Sequence, residues 1–150
     1  MIKRLGLFCL LLAACSLRYV EAKENPFTQK IEALPESVVQ QAEVRVLVTL
    51  PPEHEFTEGV ALEFRAQLRS MRGLQVLKKA KLKQPQKQLP IRFRLPEIRQ
   101  SEAVLEIHLN VPYCSAKPPK MCKYKSVDLT QPLSMKADGK AKIELVAEIK

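Results

Sequence analysis

The chain has 150 residues, of which 46% are apolar and 27% are charged, and its formal net charge is +9. This balance is typical of one globular domain and excludes a collagen, a coiled coil and a wholly disordered chain. Only one run is apolar enough to enter a bilayer, and its position at the N-terminus excludes a multi-span transporter. The 11 prolines argue against long helices, because an interior proline removes a hydrogen bond and clashes with the preceding turn.

The N-terminus has the layout of a secretory signal. Residues 1–4 include two basic side chains, and the apolar run 5–14 is too short to be a permanent membrane span. The run ends in Leu12-Ala13-Ala14-Cys15, which resembles the lipobox of bacterial lipoproteins. This resemblance implies a signal peptide at 1–14 and lipidation of Cys15. Ser16 follows that cysteine, and in Gram-negative bacteria such a pattern implies the periplasm and sorting to the outer membrane, with the inner membrane as the alternative anchor.

A second signal interpretation stays open, because Val20-Glu21-Ala22 also satisfies the small-residue rule for cleavage after Ala22, followed by secretion. Residues 15–40 are predicted to be the lipidated cysteine and a polar tether, with one helical turn near residues 36–41. A tether of this kind would hold the domain just off the membrane. The folded domain is predicted at 41–150.

From Ala42 onward, apolar and polar residues alternate with period two, which predicts strands buried on one face. Pro51-Pro52, Gly73 and Pro96 end three of these runs, and Asp138-Gly139 is a hairpin signal. The pattern predicts an all-β fold, an immunoglobulin-like antiparallel β-sandwich of about seven strands. The predicted strands begin near Ala42, Val60, Leu74, Ile91, Ala103, Cys122 and Ile143.

Two cysteines remain once Cys9 leaves with the signal and Cys15 carries lipid. Cys114 and Cys122 lie at facing ends of consecutive predicted strands, so in an oxidising compartment they are expected to form a disulfide that staples a hairpin. Closing this loop would stabilise the fold by about 2–3 kcal/mol in the chain-entropy model. The competing interpretation is a thiol exchange centre, which needs an accessible sulfur and a stabilised thiolate.

Lysines surround this pair, and no acidic residue lies within the loop to oppose them. Positive charge of this kind lowers a thiol pKa and favours exchange. Pro118-Pro119 would keep the loop stiff and hold it toward solvent. The lysines are Lys117, Lys120, Lys123 and Lys125.

The hairpin sequence reads Val111-Pro112-Tyr113-Cys114 and, after seven intervening residues, Cys122-Lys123-Tyr124, with Gln131-Pro132-Leu133 beyond it. From about residue 42 to 150 the chain resembles the N-terminal periplasmic domain of DsbD thiol:disulfide interchange proteins. It is also similar to the C-terminal β-domain of thioredoxin-like proteins with NHL repeats. The resemblance implies that Cys114 and Cys122 are the exchanging pair, with Tyr113 and Tyr124 as shields. It also implies partners among thioredoxin-like or envelope proteins, and no cofactor.

A metal site is a further alternative, in which Cys114, Cys122, His108 and Met121 would converge on copper. The cysteine spacing matches no standard zinc pattern, and a lone strand histidine is usually a solvated side chain, so no metal site is assigned.

The last feature is a basic surface between residues 69 and 99, where Glu97 is the one acid. Such a patch fits an anionic or acidic partner, or the solvated edge of a sheet. No aromatic residues interleave with the charges, and export argues against nucleic acid. A non-catalytic envelope binding module, with a structural disulfide and a basic partner-binding face, is therefore the alternative to interchange. The basic residues are Arg69, Arg72, Lys78, Lys79, Lys81, Lys83, Lys87, Arg92, Arg94 and Arg99.

Overall fold

The computed structural model describes residues 28–150, which form nine strands and one short helix. The signal peptide, Cys15 and the cleavage site at Ala22 lie outside the described residues. The elements in chain order are β1 (Thr28–Glu32), β2 (Glu36–Thr49), β3 (His54–Phe56), β4 (Leu62–Ser70), β5 (Gly73–Leu82), α1 (Pro85–Gln88), β6 (Ile91–Arg94), β7 (Glu102–Ser115), β8 (Cys122–Met135) and β9 (Lys140–Glu148).

One curled sheet carries all of these strands. Its main path runs β5-β4-β7-β8-β2-β6, with β1 added beside β8, β3 beside β7 and β9 beside β2. The centre is the antiparallel β7–β8 hairpin, which is paired from Glu102↔Ser134 to Cys114↔Cys122. The predicted all-β, sandwich-like fold with a stapled hairpin is confirmed.

The alternating residues explain why the sheet curls. Along β7, Leu105, Ile107, Leu109 and Val111 are all buried, while His108 on the opposite face is exposed. Since the central strands each have one apolar face, the sheet curls over these faces and removes them from water. Gln131 is a polar side chain buried in the same region, and its amide donates hydrogen bonds to the carbonyls of Leu34 and Pro132.

The prediction of a polar tether at 15–40 is wrong for residues 28–32 and 36–40, which belong to strands. β1 pairs in parallel with β8, and the first residues of β2 pair in parallel with β8 as well. The helical turn expected near residues 36–41 is replaced by strand. A bulge lies between Val38 and Glu43, with Gln41 at a positive φ of 57°, and it interrupts the alternation that would have identified a strand.

Two further details differ from the sequence-based expectation. The structure has nine strands instead of about seven, since β1 and the short β3 are additional. The sheet is mainly antiparallel, but the β1–β8, β2–β8 and β2–β9 pairs are parallel. Period-two alternation defines the buried face of a strand and carries no information on its direction, so these pairings were not predictable from the pattern.

The described residues contain no helix of the length and apolarity that a membrane crossing requires. Among them, α1 is a single turn that begins with proline at its first position.

Candidate functional site

The candidate site lies at the closed end of the β7–β8 hairpin. Cys114 and Cys122 are direct cross-strand partners, their Cα atoms are 3.9 Å apart, and their sulfurs form a disulfide. Tyr113 faces Lys123 in the neighbouring pair of residues. The predicted disulfide and its position across a hairpin are confirmed.

The two cysteines differ in exposure. Cys114 is 5% exposed, whereas Cys122 is an exposed residue. The difference arises because β7 has a strand on both sides here: β8 lies on one side, and β3 pairs Glu55 with Cys114 on the other. A molecule that approaches from solvent therefore meets Cys122 first.

Thr57, directly after β3, touches the buried sulfur. Its Oγ1 lies 3.2 Å from Cys114 Sγ. A disulfide sulfur carries no hydrogen, so the hydroxyl is the donor. The backbone N–H of Thr57 donates to the carbonyl of Pro112 at 3.1 Å, which fixes the residue against β7.

The loop between the cysteines is organised by Ser115. Its backbone N–H donates to the carbonyl of Met121 at 3.0 Å, and its Oγ accepts from the N–H of Met121 at 2.9 Å. The Oγ–H also lies 3.2 Å from the carbonyl of Lys117 and 3.1 Å from that of Pro119, and its single proton is shared between them. The N–H of Ala116 donates to the carbonyl of Glu53 at 2.8 Å, so the loop is tied to the segment before β3.

Acidic residues from outside the loop face two of the loop lysines. Lys117 forms an ion pair with Glu53, and the Nζ of Lys120 lies 2.7 Å from Glu55 Oε1. The hydrogen bond and the negative charge of Glu55 raise the pKa of Lys120 above its ordinary value. Both acids come from outside the loop, at sequence separations of 64 and 65. Two of the four lysines expected to stabilise a thiolate, Lys117 and Lys120, are therefore opposed by a nearby carboxylate.

The remaining predicted residues occupy different surroundings. Tyr113 is buried in the core cluster, and its ring lies 5.4 Å from that of His54 in an edge-to-face arrangement. Tyr124 is 68% exposed, and Lys123 is exposed beside it. Adjacent residues of a strand point to opposite faces, so Tyr113 and Cys114 project to different sides of β7. The shielding role of the two tyrosines stays a prediction.

An open groove with a volume of about 1470 Å³ leads to the disulfide. Both cysteines line it, together with Phe56, Thr57 and Lys120. Residues 48–50 and the segment 83–87, with Lys83 and Lys87, also line the groove. The groove is large enough to receive a segment of polypeptide, because pockets for small molecules are usually 300–1,000 Å³.

The alternative copper site does not form. Cys114 and Cys122 are bonded to each other, and His108 lies six residues along β7 from Cys114, a distance of about 20 Å. His108 instead contacts Asp128, with 2.5 Å between Nδ1 and Oδ1. Within residues 28–150, no group of three or more histidine, cysteine or acidic side chains could hold a metal ion.

The basic surface is also partly neutralised by residues outside the 69–99 segment. Arg69 pairs with Glu106 at 2.7 Å, and Lys81 pairs with Glu63 at 3.1 Å. Hydrogen bonds from Lys81 and Asn110 lower the pKa of the Glu63 carboxyl below its ordinary value. The patch is therefore less basic than its own segment implies.

No protein-family model matches the chain, and no curated protein matches it closely enough to count as a relative. The resemblance to the DsbD domains stays a prediction from the residues of the hairpin.

Sequence reasoning missed Thr57, Glu53 and Glu55. These three residues are far from the cysteines in sequence. The pairing of β3 with β7 brings them to the site. The one local signal was Pro51-Pro52, which ends β2 and allows the chain to turn back toward the hairpin.

Proposed function

We propose that this chain is a thiol:disulfide interchange module in which Cys122 is the cysteine that reacts with the partner. The observation that carries the proposal is the unequal exposure of the two cysteines at an open groove. Interchange proceeds by attack of a thiolate on one disulfide sulfur, so access decides which sulfur is attacked. A purely structural bond needs neither an exposed cysteine nor a groove beside it.

In the proposed reaction, a thiolate of a partner dithiol attacks Cys122 Sγ. The Cys114–Cys122 bond breaks, a mixed disulfide joins Cys122 to the partner, and Cys114 leaves as a thiolate. The partner's second thiolate then attacks the partner sulfur in this mixed disulfide and releases Cys122 as a thiolate. The partner has then been oxidised by two electrons, the hairpin has been reduced by two, and both hairpin thiolates can take protons from water.

The reverse sequence reduces a partner disulfide. The Cys122 thiolate attacks that disulfide, and the Cys114 thiolate then attacks Cys122 Sγ, which restores the hairpin bond and releases the reduced partner. The proposed partner is a thioredoxin-like or envelope protein, which is the class that the DsbD resemblance implies. Its reactive cysteine would enter the groove as part of a polypeptide.

The test is mixed-disulfide trapping with variants of the full chain in which Cys9 and Cys15 are replaced by Ala and only one hairpin cysteine is kept. Cys114→Ser keeps the exposed thiol and should accumulate a mixed disulfide with an oxidised thioredoxin-like protein. Cys122→Ser keeps only the buried thiol and is the matched control, which should trap little. Equal trapping by both variants, or none by either, contradicts the assignment.

A second measurement is the reduction potential of the Cys114–Cys122 bond in the full chain. Structural disulfides of secreted proteins have reduction potentials below about −300 mV and resist reduction, so interchange requires a value above this limit. A more negative value would favour the second candidate function, a non-catalytic envelope binding module. The observation that favours this candidate is the hairpin staple itself, with Cys114 buried and two loop lysines held in ion pairs.

The proposed setting is the periplasm, with the chain anchored to the outer membrane through lipid on Cys15. The signal motif carries this part of the proposal, and several acyl chains on one cysteine give firm anchoring. Replacing Cys15 with Ala should release the protein from membranes in a fractionation experiment. Continued sedimentation with the membranes would contradict lipidation at this residue, and a mature chain starting after Ala22 would indicate ordinary secretion.

A further inference from the structure

We propose that Thr57 is a positioning residue whose hydroxyl holds the Cys114 sulfur as a thiolate when the hairpin disulfide opens. This inference rests on the proposed interchange function and adds a specific role for a residue outside the hairpin. The geometric basis is the 3.2 Å distance between Thr57 Oγ1 and Cys114 Sγ at a position where Cys114 is buried.

The surroundings keep this hydroxyl in place. Thr57 follows β3, which pairs with β7 through the residues His54 to Phe56, and its own N–H donates to the carbonyl of Pro112. Phe56, the residue before it, packs against the core cluster. The donor therefore lies beside the sulfur before the reaction begins.

The chemistry calls for such a donor at Cys114 in particular. When a partner attacks Cys122, the negative charge develops on Cys114, which is removed from bulk water. A hydrogen bond to the charged form stabilises that form, and a better-stabilised leaving thiolate departs faster. The loop lysines are less suited to this role, since Lys117 and Lys120 are held by Glu53 and Glu55.

The experiment compares Thr57→Val with Thr57→Ser in the full chain. Valine keeps the branched shape without a hydroxyl, and serine keeps the hydroxyl. Thr130→Val on β8 controls for a general effect of removing a threonine hydroxyl. We expect Thr57→Val to slow the opening of the disulfide by reduced glutathione about tenfold, which is the order of one hydrogen bond to a charged group. Thr57→Ser should stay within about twofold of the original chain, and so should the Thr130 control.

The second readout is an ultraviolet titration of the Cys114 thiolate in a background with Cys122→Ser, Cys9→Ala and Cys15→Ala, so that Cys114 is the one cysteine left. The thiolate should appear at higher pH with Thr57→Val, and Thr57→Ser should restore the original midpoint. A merely structural role for Thr57 would leave this midpoint unchanged, and that result overturns the inference. If Thr57→Val does not fold, Thr57→Ala is the second variant without a hydroxyl, and a Thr57→Ala chain that opens and titrates like the original overturns the inference. A Thr57→Ser chain that loses both the original opening rate and the original midpoint would oppose it.

These readouts separate the inference from the proposed function. Neither glutathione opening nor thiolate titration involves a protein partner, so a chain that traps no partner can still show the Thr57 effect. Conversely, normal partner trapping combined with identical Thr57→Val and Thr57→Ser behaviour would reject Thr57 and leave interchange intact.

Discussion

Reducing the hairpin disulfide should destabilise the chain moderately without unfolding it. The bond joins residues at a sequence separation of 8, so it closes a short loop. In the chain-entropy model, a loop of this size stabilises the folded state by about 2.5 kcal/mol. We therefore expect the variant with Cys114→Ala and Cys122→Ala to lose about this free energy of unfolding.

The chain should remain folded because the core does not depend on the bond. The hydrophobic core cluster includes Tyr113, but it includes neither Cys114 nor Cys122. The β7–β8 pairing continues from the cysteines to Glu102↔Ser134, at the other end of the hairpin. Reduction removes a constraint at one tip, while the buried alternating residues of the central strands keep their contacts.

Urea unfolding followed by circular dichroism measures this loss. With a typical slope for a domain of this size, the midpoint should fall by about 1–2 M. The reduced original chain and the double alanine variant should have similar midpoints, because both lack the same constraint. Complete unfolding on reduction would refute the reasoning. It would also exclude interchange, since an exchange protein must stay folded in both redox states.

Three other predictions concern the fold and its charges. Leu109→Ala, at a fully buried position of β7, should lower the free energy of unfolding by about 2–5 kcal/mol in urea, and a loss below 1 kcal/mol would contradict its place in the core. Gly139→Ala would place a Cβ only 2.5 Å from the carbonyl carbon of Val38 and should cost about 1–3 kcal/mol; a neutral result would show that the turn moves freely. The pKa of Glu63 is lowered in the folded state, so its contribution is present above its ordinary value of 4.5 and is lost as pH falls through the lower folded value. In a plot of melting temperature against pH, Glu63→Gln should therefore reduce the fall in melting temperature on the acid side. An unchanged plot would oppose the lowered pKa of Glu63.

The strands with regular alternation were predictable from the sequence, because burial of one sheet face imposes a period of two. β2 from Ala42 onward, β4, β7 and β9 follow that rule, and their odd or even residues form the core. β1 was not predictable, since none of its five residues is fully buried. It is held by backbone pairing with β8, which leaves no apolar pattern in the sequence.

The candidate site was predictable only where it is local. The disulfide joins the ends of two consecutive strands, so spacing and compartment were enough to propose it. The electrostatic environment depends on β3, which lies far from the hairpin in sequence and is only three residues long. Counting acids within the loop therefore gave the wrong charge balance for Lys117 and Lys120.

Because Glu53 and Glu55 oppose two of the loop lysines, lysine charge is not the main source of thiolate stabilisation in the proposed exchange reaction. The two ion pairs are solvent-exposed, so salt weakens them and each contributes little free energy. Burial of Cys114 disfavours its thiolate and so favours the closed disulfide. The proposed hydrogen bond from the Thr57 hydroxyl acts in the opposite direction, because it reaches the buried Cys114 sulfur, where salt screens less than at the exposed ion pairs. If the hairpin exchanges thiols, its rate of opening should then respond strongly to loss of this hydroxyl and only weakly to ionic strength. If the lysines alone stabilised the thiolate, the opening rate would respond strongly to ionic strength and only weakly to loss of the Thr57 hydroxyl.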